Sequence, residues 1–215
     1  ELRRESLDMT YDARGNLAGY RTETRDAPSR VIGTTRGEGV YTEGRRRDAR
    51  LVSFTENSWD ALGNATRLDR TNIQWTSDGK KTLSYTDSET DAYGKITKRD
   101  VSDSNYNTDG QLTSYKEVTL SHTGETFTKT WSDGKYEKNA KDEWSLSSYK
   151  ESVTDANGRR TEREWGQANY DEKGRITSFT EKNTNTAGKT STRRWEKGRY
   201  DDRGQLTGYE EHVTD

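Results

Sequence analysis

The chain of 215 residues is rich in charge and poor in apolar side chains: 34% of its residues are Asp, Glu, Lys or Arg, and 26% are hydrophobic. An ordinary globular chain is about 45–50% apolar, so this composition excludes a thick hydrophobic core. The absence of cysteine excludes disulfides, thiolate metal ligands and thiol catalysis. A net charge of −2 and 10% aromatic residues distinguish the chain from disordered proteins, which combine few aromatics with high net charge.

Glycine marks most of the predicted turns, at steps of about 15 residues along the chain. Glycine adopts positive φ without steric cost, and Asp or Asn side chains bond to nearby backbone N–H groups, so both favour tight turns. The predicted turns centre on Gly15, Gly33, Gly63, Gly79, Gly94, Gly110, Gly124, Gly158, Gly174, Gly188 and Gly204, with Ala49 and Trp144 where a glycine is expected. We interpret Trp144 as the mark of a local insertion.

Two kinds of turn alternate, which makes the true period about thirty residues. In the first kind an aromatic residue precedes Asp-x-x-Gly, and an aliphatic residue follows two positions later. In the second kind a loop containing Thr, Asn or Asp ends in glycine and leads into a charged strand. The principal repeat turn residues are Asp12, Gly15, Asp60, Gly63, Gly94, Gly110, Gly158, Asp171, Gly174, Gly188, Asp201 and Gly204.

Between the turns lie runs of about 7 to 10 residues rich in Thr, Tyr, Trp and charged side chains, which favours β-strands. Short connections make successive strands antiparallel neighbours. In residues 112–118, LTSYKEV, neither alternating face is wholly apolar, so we expect a sheet that is wetted on both sides. The fold prediction is all-β: a tandem-repeat antiparallel β-meander of roughly a dozen strands, forming an elongated, largely single-layer twisted sheet.

We expect residues 1–215 to form one continuous β-repeat array of about seven hairpin units, each of about 30 residues. The stretch 20–58 is the least regular, because its turn spacing lengthens and it contains the lone proline, Pro28. Since the pattern starts and stops inside a repeat, we interpret the chain as a fragment of a longer repeat protein.

A Trp-x4-Tyr step recurs in the C-terminal half, as Trp131 with Tyr136, Trp165 with Tyr170, and Trp195 with Tyr200. Side chains alternate between the two faces of a regular strand, so residues five apart lie on opposite faces. A β-bulge at Gly134, Gly166 or Gly198 would instead re-aim one of the two rings. The sequence leaves both arrangements open.

The motif Tyr-Asp-x-x-Gly-x-Leu/Ile occurs at Tyr11–Leu17, Tyr170–Ile176 and Tyr200–Leu206, and Trp59-Asp60-x-x-Gly63 is a looser copy. It resembles the YD repeats of the RHS family of large bacterial surface and toxin proteins. The resemblance implies long antiparallel β-strips, which in that family often wind into a hollow shell around a toxic payload. The period of this chain is longer than the period of the family.

The aromatic rows are the first candidate for a binding function, because exposed Trp and Tyr rings can stack on sugar rings. The possible ligand-stacking residues are Trp131, Trp165, Trp195, Tyr136, Tyr170 and Tyr200, with Trp59 and Trp75 as further members of the Trp set. The alternative, which we favour, is that these rings pack over neighbouring strands within the sheet.

The turn carboxylates offer the oxygen ligands that calcium prefers, but one Asp per turn supplies too few, and turn capping accounts for each of them. These residues are Asp12, Asp60, Asp171 and Asp201. We therefore expect no metal ion and no cofactor. His122 and His212 lie in different contexts without a clustered acid and nucleophile, so the sequence nominates no catalytic residue and we expect no enzyme.

Three further motifs have ordinary explanations. The cluster of Arg45, Arg46, Arg47 and Arg50 is small for a nucleic-acid surface, and we interpret it as solvated edge charge. The glycine-rich stretch around Gly33, Gly37 and Gly39 lacks the Gly-Lys-Ser/Thr of a phosphate-binding loop. Asn64-Ala65-Thr66 has the letters of a glycosylation sequon.

These patterns predict a non-catalytic structural repeat segment, a spacer, stalk, fibre or wall, of a large bacterial secreted or cell-surface protein. Two alternatives stay open: a carbohydrate-binding adhesin module that uses the Trp and Tyr rows, and a part of an RHS-type shell that encloses a toxin. The expected partners are neighbouring repeats of the parent chain, with glycans or other copies of the chain as further candidates. We expect no nucleic-acid binding, no membrane insertion, and an extracellular or cell-surface location.

Overall fold

The computed structural model describes residues 3–26, 30–43, 48–139 and 142–215. These residues form fourteen β-strands: β1 Arg3–Tyr11, β2 Leu17–Asp26, β3 Arg30–Tyr41, β4 Leu51–Trp59, β5 Ala65–Trp75, β6 Thr82–Thr90, β7 Ile96–Tyr106, β8 Leu112–Leu120, β9 Thr126–Lys138, β10 Trp144–Thr154, β11 Arg160–Tyr170, β12 Ile176–Thr184, β13 Thr190–Tyr200 and β14 Leu206–Thr214. The strands make one antiparallel meander in chain order, and β1 and β14 are its two edges. The prediction of an all-β meander in a single sheet is confirmed.

Two compact units divide the chain. The N-terminal unit contains residues 1–102 and 118–125, and the C-terminal unit contains residues 103–117 and 126–215. The extension of the array beyond this chain stays a prediction.

One backbone scheme is shared by ten of the described turns, five residues each, so the two kinds of turn distinguished in the sequence differ in residues and not in backbone. The first residue donates its N–H to the carbonyl of the fifth, and its own carbonyl accepts the N–H of the fourth. In nine of these turns the fourth residue is a glycine with φ between 77° and 87°. This is a type I turn followed by a left-handed residue, a frequent short hairpin connection.

The glycine pattern locates most turns correctly and is wrong at Gly33, which lies inside β3 opposite Trp59. The connection between β2 and β3, including Pro28, lies outside the described residues. Ala49 lies in a longer connection, in which the N–H of Thr42 donates to the carbonyl of Arg50 at 2.8 Å. Glycine spacing gave a wrong turn at Gly33 because the sequence alone does not distinguish a glycine inside a strand from a glycine in a turn.

Trp144 does not occupy the glycine position of its turn. Asp142 does, with a φ of 63°, and Trp144 begins β10 opposite Lys138. The interpretation as a local insertion is confirmed, because Tyr136 pairs with Leu146 and two additional residue pairs separate them from the turn at 139–143. The insertion therefore lengthens the tip of one hairpin and leaves the rest of it in place.

Each odd-numbered strand contains a β-bulge with a non-glycine residue in the left-handed region, with φ between 53° and 57°. These residues are Asp8, Glu38, Asn72, Asp103, Asp133, Gln167 and Lys197. The register shifts at the same places, for example between Gly166 and Asn169 of β11. An extra residue in the strand brings Trp165 and Tyr170 to the same face, so the bulged alternative of the sequence analysis is the observed one.

Little of the sheet is buried, as composition predicts. The buried hydrophobic residues of the described chain are Ile73, Val101, Ala168 and Trp195. Buried polar residues outnumber them and include Asp87 and Glu181. The sheet is therefore held by ladder hydrogen bonds and by side-chain contacts between adjacent strands.

Candidate functional site: the aromatic ladder

Seven aromatic rings form a continuous stack in the C-terminal unit, one from each strand from β8 to β14. In order they are Tyr115, Trp131, Tyr149, Trp165, Phe179, Trp195 and Tyr209. Successive ring centroids are 5.5–5.9 Å apart, with interplanar angles of 21–36°. Offset stacking of this kind contributes about 0.5–1.5 kcal/mol per pair beyond the burial of area. We call this row the aromatic ladder.

Strand register places the rings side by side. Tyr149 lies directly opposite Trp165, and Phe179 lies directly opposite Trp195. On its other side each Trp meets the next ring diagonally, as Trp165 meets Phe179 while pairing with Glu181. The ladder therefore depends on a register that a slip of one residue would destroy.

The predicted stacking residues Trp131, Trp165 and Trp195 all belong to the aromatic ladder. Each has a neighbouring ring on both of its faces. Trp195 is only 5% exposed, whereas Tyr209 at the end of the stack is 50% exposed. The faces with which these three Trp residues would contact a sugar ring are thus used between strands.

Two of the ladder Trp rings cover a glycine of the adjacent bulge. A Cβ built on Gly134 would lie 2.3 Å from Cη2 of Trp131, and a Cβ built on Gly198 would lie 2.3 Å from Cη2 of Trp195. The corresponding residue after Trp165 is Ala168, which is buried. The position therefore requires a very small side chain, for which the Trp-x2-Gly spacing was a readable signal.

The predicted residues Tyr136, Tyr170 and Tyr200 have a different role from the ladder. Each hydroxyl donates a hydrogen bond to a backbone carbonyl near the start of the preceding strand. The accepting carbonyls belong to Leu112, Leu146 and Ile176, at 2.9 Å, 2.6 Å and 2.7 Å. In the N-terminal unit Tyr41 and Trp75 donate in the same way to the carbonyls of Leu17 and Leu51, both at 2.8 Å. Burial raises the pKa of Tyr136 and of Tyr170.

This contact explains the Tyr-Asp-x-x-Gly-x-Leu/Ile motif. Tyr170 ends β11, pairs with Ile176 across the turn on one side, and donates to Leu146 of β10 on the other. Asp171 Oδ1 accepts the N–H groups of Lys173 and Arg175, each at 2.9 Å, which closes the turn. One motif therefore fastens three strands at one end of the sheet.

The turn carboxylates cap their own turns. Oδ1 of Asp12 accepts two backbone N–H groups, and Oδ2 accepts the side-chain amide of Asn16 at 2.8 Å. Asp60 makes the same contacts, with Asn64 as the amide donor. The side-chain hydrogen bond from Asn16 is the main cause that lowers the pKa of Asp12, and Asn64 does the same for the pKa of Asp60. Turn capping accounts for these oxygens, and the amide of the sequon residue Asn64 is part of it.

A row of alternating charge runs beside the aromatic ladder from β9 to β14. Its members are Lys129, Glu151, Arg163, Glu181, Arg193 and Glu211, and ion pairs join Lys129 to Glu151 at 2.7 Å, Arg163 to Glu181, and Arg193 to Glu211 at 2.7 Å. The register also puts Glu151 opposite Arg163, and Glu181 opposite Arg193. We call this row the charge ladder; sequence reasoning missed it, although the Arg or Lys two residues before each Trp was a signal.

Glu181 is the most buried acid of the charge ladder, at 8% exposure. Burial raises its pKa, but hydrogen bonds from Asn183 and Arg163 outweigh that effect, so the pKa of Glu181 is lowered. The carboxylate therefore stays charged between its cationic neighbours.

In β3 and β5 of the N-terminal unit, Arg36 and Arg70 stand two residues before the bulge residue, where Trp stands in β9, β11 and β13. The guanidinium of Arg36 lies 3.9 Å from the ring centroid of Phe54, and that of Arg70 lies 4.0 Å from the centroid of Tyr85. Arg70 is also 5.7 Å from Phe54. Cation–π contacts thus take the place of ring stacking at Arg36 and Arg70.

Asp87 is the most buried charged residue of the described chain, at 2% exposure. Its carboxylate accepts a two-pronged contact from Arg70 at 2.7 and 2.9 Å, and a third bond from Arg99 at 2.6 Å. Burial raises the pKa of Asp87, but the bonds from Arg70 and Arg99 outweigh it, and the net pKa is lowered. This cluster is a structural ion triad within the sheet.

The two histidines do not form a catalytic or metal site with the described residues around them. His212 Nε2 lies 3.9 Å from Glu196, and Glu210 completes a group of possible metal ligands. Both carboxylates already have cationic partners, since Glu196 binds Arg194 and Glu210 binds Lys197, each at 2.7 Å. His122 lies in the turn at 121–125 of the N-terminal unit.

The glycine-rich stretch and the arginine cluster noted in the sequence also form no binding site in the described residues. Gly33, Gly37 and Gly39 are strand residues of β3, not a phosphate-binding loop. Of the basic cluster, Arg45, Arg46 and Arg47 lie outside the described residues.

A groove of about 970 Å³ lies over residues of β9 to β13 on the C-terminal unit, including the bulges of β9 and β11. It is lined by side chains of both charge signs, among them Lys135, Lys150 and Glu164, and by amides such as Gln167.

Within the described chain, no helix has the length and apolar character needed to cross a membrane. Comparison with known proteins gives no match: neither a protein-family profile nor a curated protein matches this chain.

Proposed function

We propose that this chain is a non-catalytic structural repeat segment, a spacer, stalk, fibre or wall, of a large bacterial protein that is secreted or displayed on the cell surface. The observation that carries the proposal is the aromatic ladder. Its five inner rings have both faces covered by rings of adjacent strands. The inner rings of the ladder thus join strand to strand, and in the described part of the C-terminal unit the two end rings, Tyr115 and Tyr209, each show one ring neighbour.

The energetics of the sheet support the same role. In the C-terminal unit, the strands from β8 to β14 are joined by backbone bonds and by an aromatic contact between each strand and the next. Ion pairs of the charge ladder add to this between β9 and β10, β11 and β12, and β13 and β14, so no thick core is required. Adding a hairpin therefore lengthens such a sheet at constant stability per unit, as a spacer requires. Charged side chains on both faces, such as Lys150 and Glu211, oppose lateral association.

The Tyr-Asp-x-x-Gly-x-Leu/Ile hairpins support the secreted or surface location through their resemblance to YD repeats. A wall segment of an RHS-type shell is a special case of the proposed role. Glycan binding by Trp131, Trp165 and Trp195 gains no support, since their faces are covered by Tyr and Phe rings of the adjacent strands. We propose neighbouring repeats of the parent chain as the principal partners.

Deletion of one whole unit tests the structural role. Removal of Gly166–Trp195 joins Trp165 to Glu196, so that the Trp-x2-Gly-x-Tyr pattern is kept and two strands are lost. A spacer should fold after this deletion. With Lys150→Cys and Glu210→Cys carrying spin labels in a chain that has no other cysteine, the labels should come about 10 Å closer across the sheet, because four strand spacings become two.

The matched control removes half a unit, residues Gly166–Thr180, which joins an odd strand to the wrong half of an even strand. This variant should lose the cooperative β-sheet signal in circular dichroism. If the whole-unit deletion also unfolds, interchangeable repeats are excluded and the proposal fails. Binding on a glycan array that is lost in Trp165→Ala and Trp195→Ala, with folding retained, would favour the adhesin alternative instead.

A further inference from the structure

The aromatic ladder reaches the edge strand β14 at Tyr209. The even-strand rings before it, Tyr149 and Phe179, each contact a Trp on both sides. Tyr209 stacks on Trp195 at 5.5 Å and has no second ring neighbour in the described chain; half of its surface is exposed. One face of the last ring is therefore open to solvent.

The charge ladder reaches β14 at Glu211 in the same way. Glu151 lies between Lys129 and Arg163, and Glu181 lies between Arg163 and Arg193. Glu211 pairs with Arg193 at 2.7 Å, and within the described chain the structure shows no cation on its outer side. An acid at this edge therefore attracts a second cation from outside.

A third group on β14 repeats this relationship. The carbonyls of Leu146 and Ile176 accept the hydroxyls of Tyr170 and Tyr200 from the following odd strand. Leu206 occupies the same place in β14, opposite Tyr200, and is 46% exposed. Its carbonyl accepts no tyrosine hydroxyl in the described chain.

The odd strands carry the three complementary groups at fixed spacing. In β9, β11 and β13 a Lys or Arg is followed by a Trp two residues later and by a Tyr five residues after the Trp, as in Arg193, Trp195 and Tyr200. We infer that the edge of β14 is a docking site for an extended strand with the sequence pattern Arg/Lys-x-Trp-x4-Tyr, which adds to the sheet in antiparallel orientation. This inference rests on the proposed function, because it names the partner that extends the array.

The established interfaces fix the register of this docking. Tyr149 faces Trp165 and Glu151 faces Arg163 across the same strand pair. Tyr209 is therefore expected to face the Trp of the added strand, and Glu211 its Arg. The outward N–H and C=O groups of β14 supply the backbone bonds, as in other cases of β-strand addition.

An appended strand tests the inference on the full chain. A copy of Thr186–Tyr200 is added after Asp215, so that Asp215 takes the first place of a five-residue turn. We expect hydrogen exchange to slow by at least tenfold at alternate amides of β14, between Leu206 and Thr214. Because the strand is tethered, weak intermolecular affinity does not limit the measurement.

Matched variants separate the docking from nonspecific pairing. The same appendage with Ser at the position of Trp195 and Glu at the position of Arg193 should give no protection. Glu211→Arg should abolish docking of the unchanged appendage and restore docking of one with Glu at the position of Arg193. Unprotected β14 amides in the unchanged appended chain would overturn the inference, and so would protection that grows with protein concentration without any appendage, which would assign the edge to a second copy. If the whole-unit deletion folds while the appended strand stays undocked, the proposed function stands and only the docking site is rejected.

Discussion

The indole of Trp195 lies so close over Gly198 that a Cβ built on Gly198 would be 2.3 Å from Cη2 of the indole. The same contact joins Trp131 to Gly134. Since Trp195 also stacks on Phe179 and Tyr209, it cannot move away without loss of ring contacts. The glycine is thus needed for the space that it leaves.

Gly198→Ala should therefore destabilise the C-terminal unit by about 1–3 kcal/mol, the usual cost of forcing an additional carbon into a packed position. The measurement is the shift of the urea unfolding midpoint, monitored by Trp fluorescence. Gly37→Ala is the matched control, because a Cβ on Gly37 meets nothing within 4 Å. Equal effects of the two substitutions would contradict the packing role of Gly198.

Tyr170→Phe should destabilise the C-terminal unit by about 1 kcal/mol, because it removes the hydroxyl that donates to the carbonyl of Leu146 at 2.6 Å. The ring itself stays in place, so the β-sheet circular dichroism should not change. Tyr93→Phe serves as control, since Tyr93 is 86% exposed in a turn. A thermal midpoint of Tyr170→Phe equal to that of the parent chain would exclude a stabilising role for this bond.

Asp87→Asn should destabilise the N-terminal unit by about 3–5 kcal/mol, because it leaves Arg70 and Arg99 without their buried counter-charge. Chemical denaturation that follows the β-sheet signal measures this loss. The exposed turn residue Asp202 supplies the control, Asp202→Asn, for which no change is expected. Similar midpoints for both variants would show that the ion triad is dispensable.

The same triad predicts acid sensitivity. The pKa of Asp87 in the folded chain is lower than the ordinary value of 3.8. A group with a depressed folded pKa contributes stability that is present above its unfolded pKa and is lost as pH falls through the folded pKa. The N-terminal unit should therefore lose stability below about pH 4, and Asp87→Asn should remove part of this pH dependence. Parallel pH profiles of the two chains would refute the assignment.

Lys197→Gly should stabilise the C-terminal unit by about 0.5–1 kcal/mol. Lys197 has a φ of 57°, a conformation that costs a non-glycine residue about 1–2 kcal/mol, and glycine avoids this cost at a smaller entropic penalty. The ion pair with Glu210 that is lost is exposed and contributes little. Lys182→Gly, in a regular part of β12, should instead lower stability. A decrease in both variants would show that the bulge at Lys197 is unstrained.

The sequence predicts the turns better than the contacts between strands. A turn is local: Asp171 and Gly174 specify it within five residues, by a side-chain cap and a left-handed backbone. The aromatic ladder depends on register between strands, and that register is set by bulges at residues such as Gln167 and Lys197, whose residue types do not announce positive φ. The Trp-x4-Tyr spacing consequently left the face of each ring undecided.

The role of Arg70 in the N-terminal unit was harder still to predict from the sequence. Arg70 stands where Trp131, Trp165 and Trp195 stand in later strands, so a search for repeated aromatic residues passes over it. Its role depends on Tyr85 and Asp87 of the adjacent strand, which are distant enough in sequence that only the pairing brings them together. At this strand position the side chain is an arginine instead of a tryptophan, but it still contacts the ring of the adjacent strand.

The hairpin with the tip at 139–143 gained its length in residue pairs, two on each strand between Tyr136–Leu146 and the turn. An even increment on each side keeps inward and outward side chains in phase, so the rest of the hairpin does not register the change. Hairpin tips are therefore the places where such a chain can acquire new loops, epitopes or engineered tags by simple duplication of a few codons. Insertion of an odd number of residues into one strand would move its side chains to the opposite face of the sheet and disrupt the cross-strand contacts.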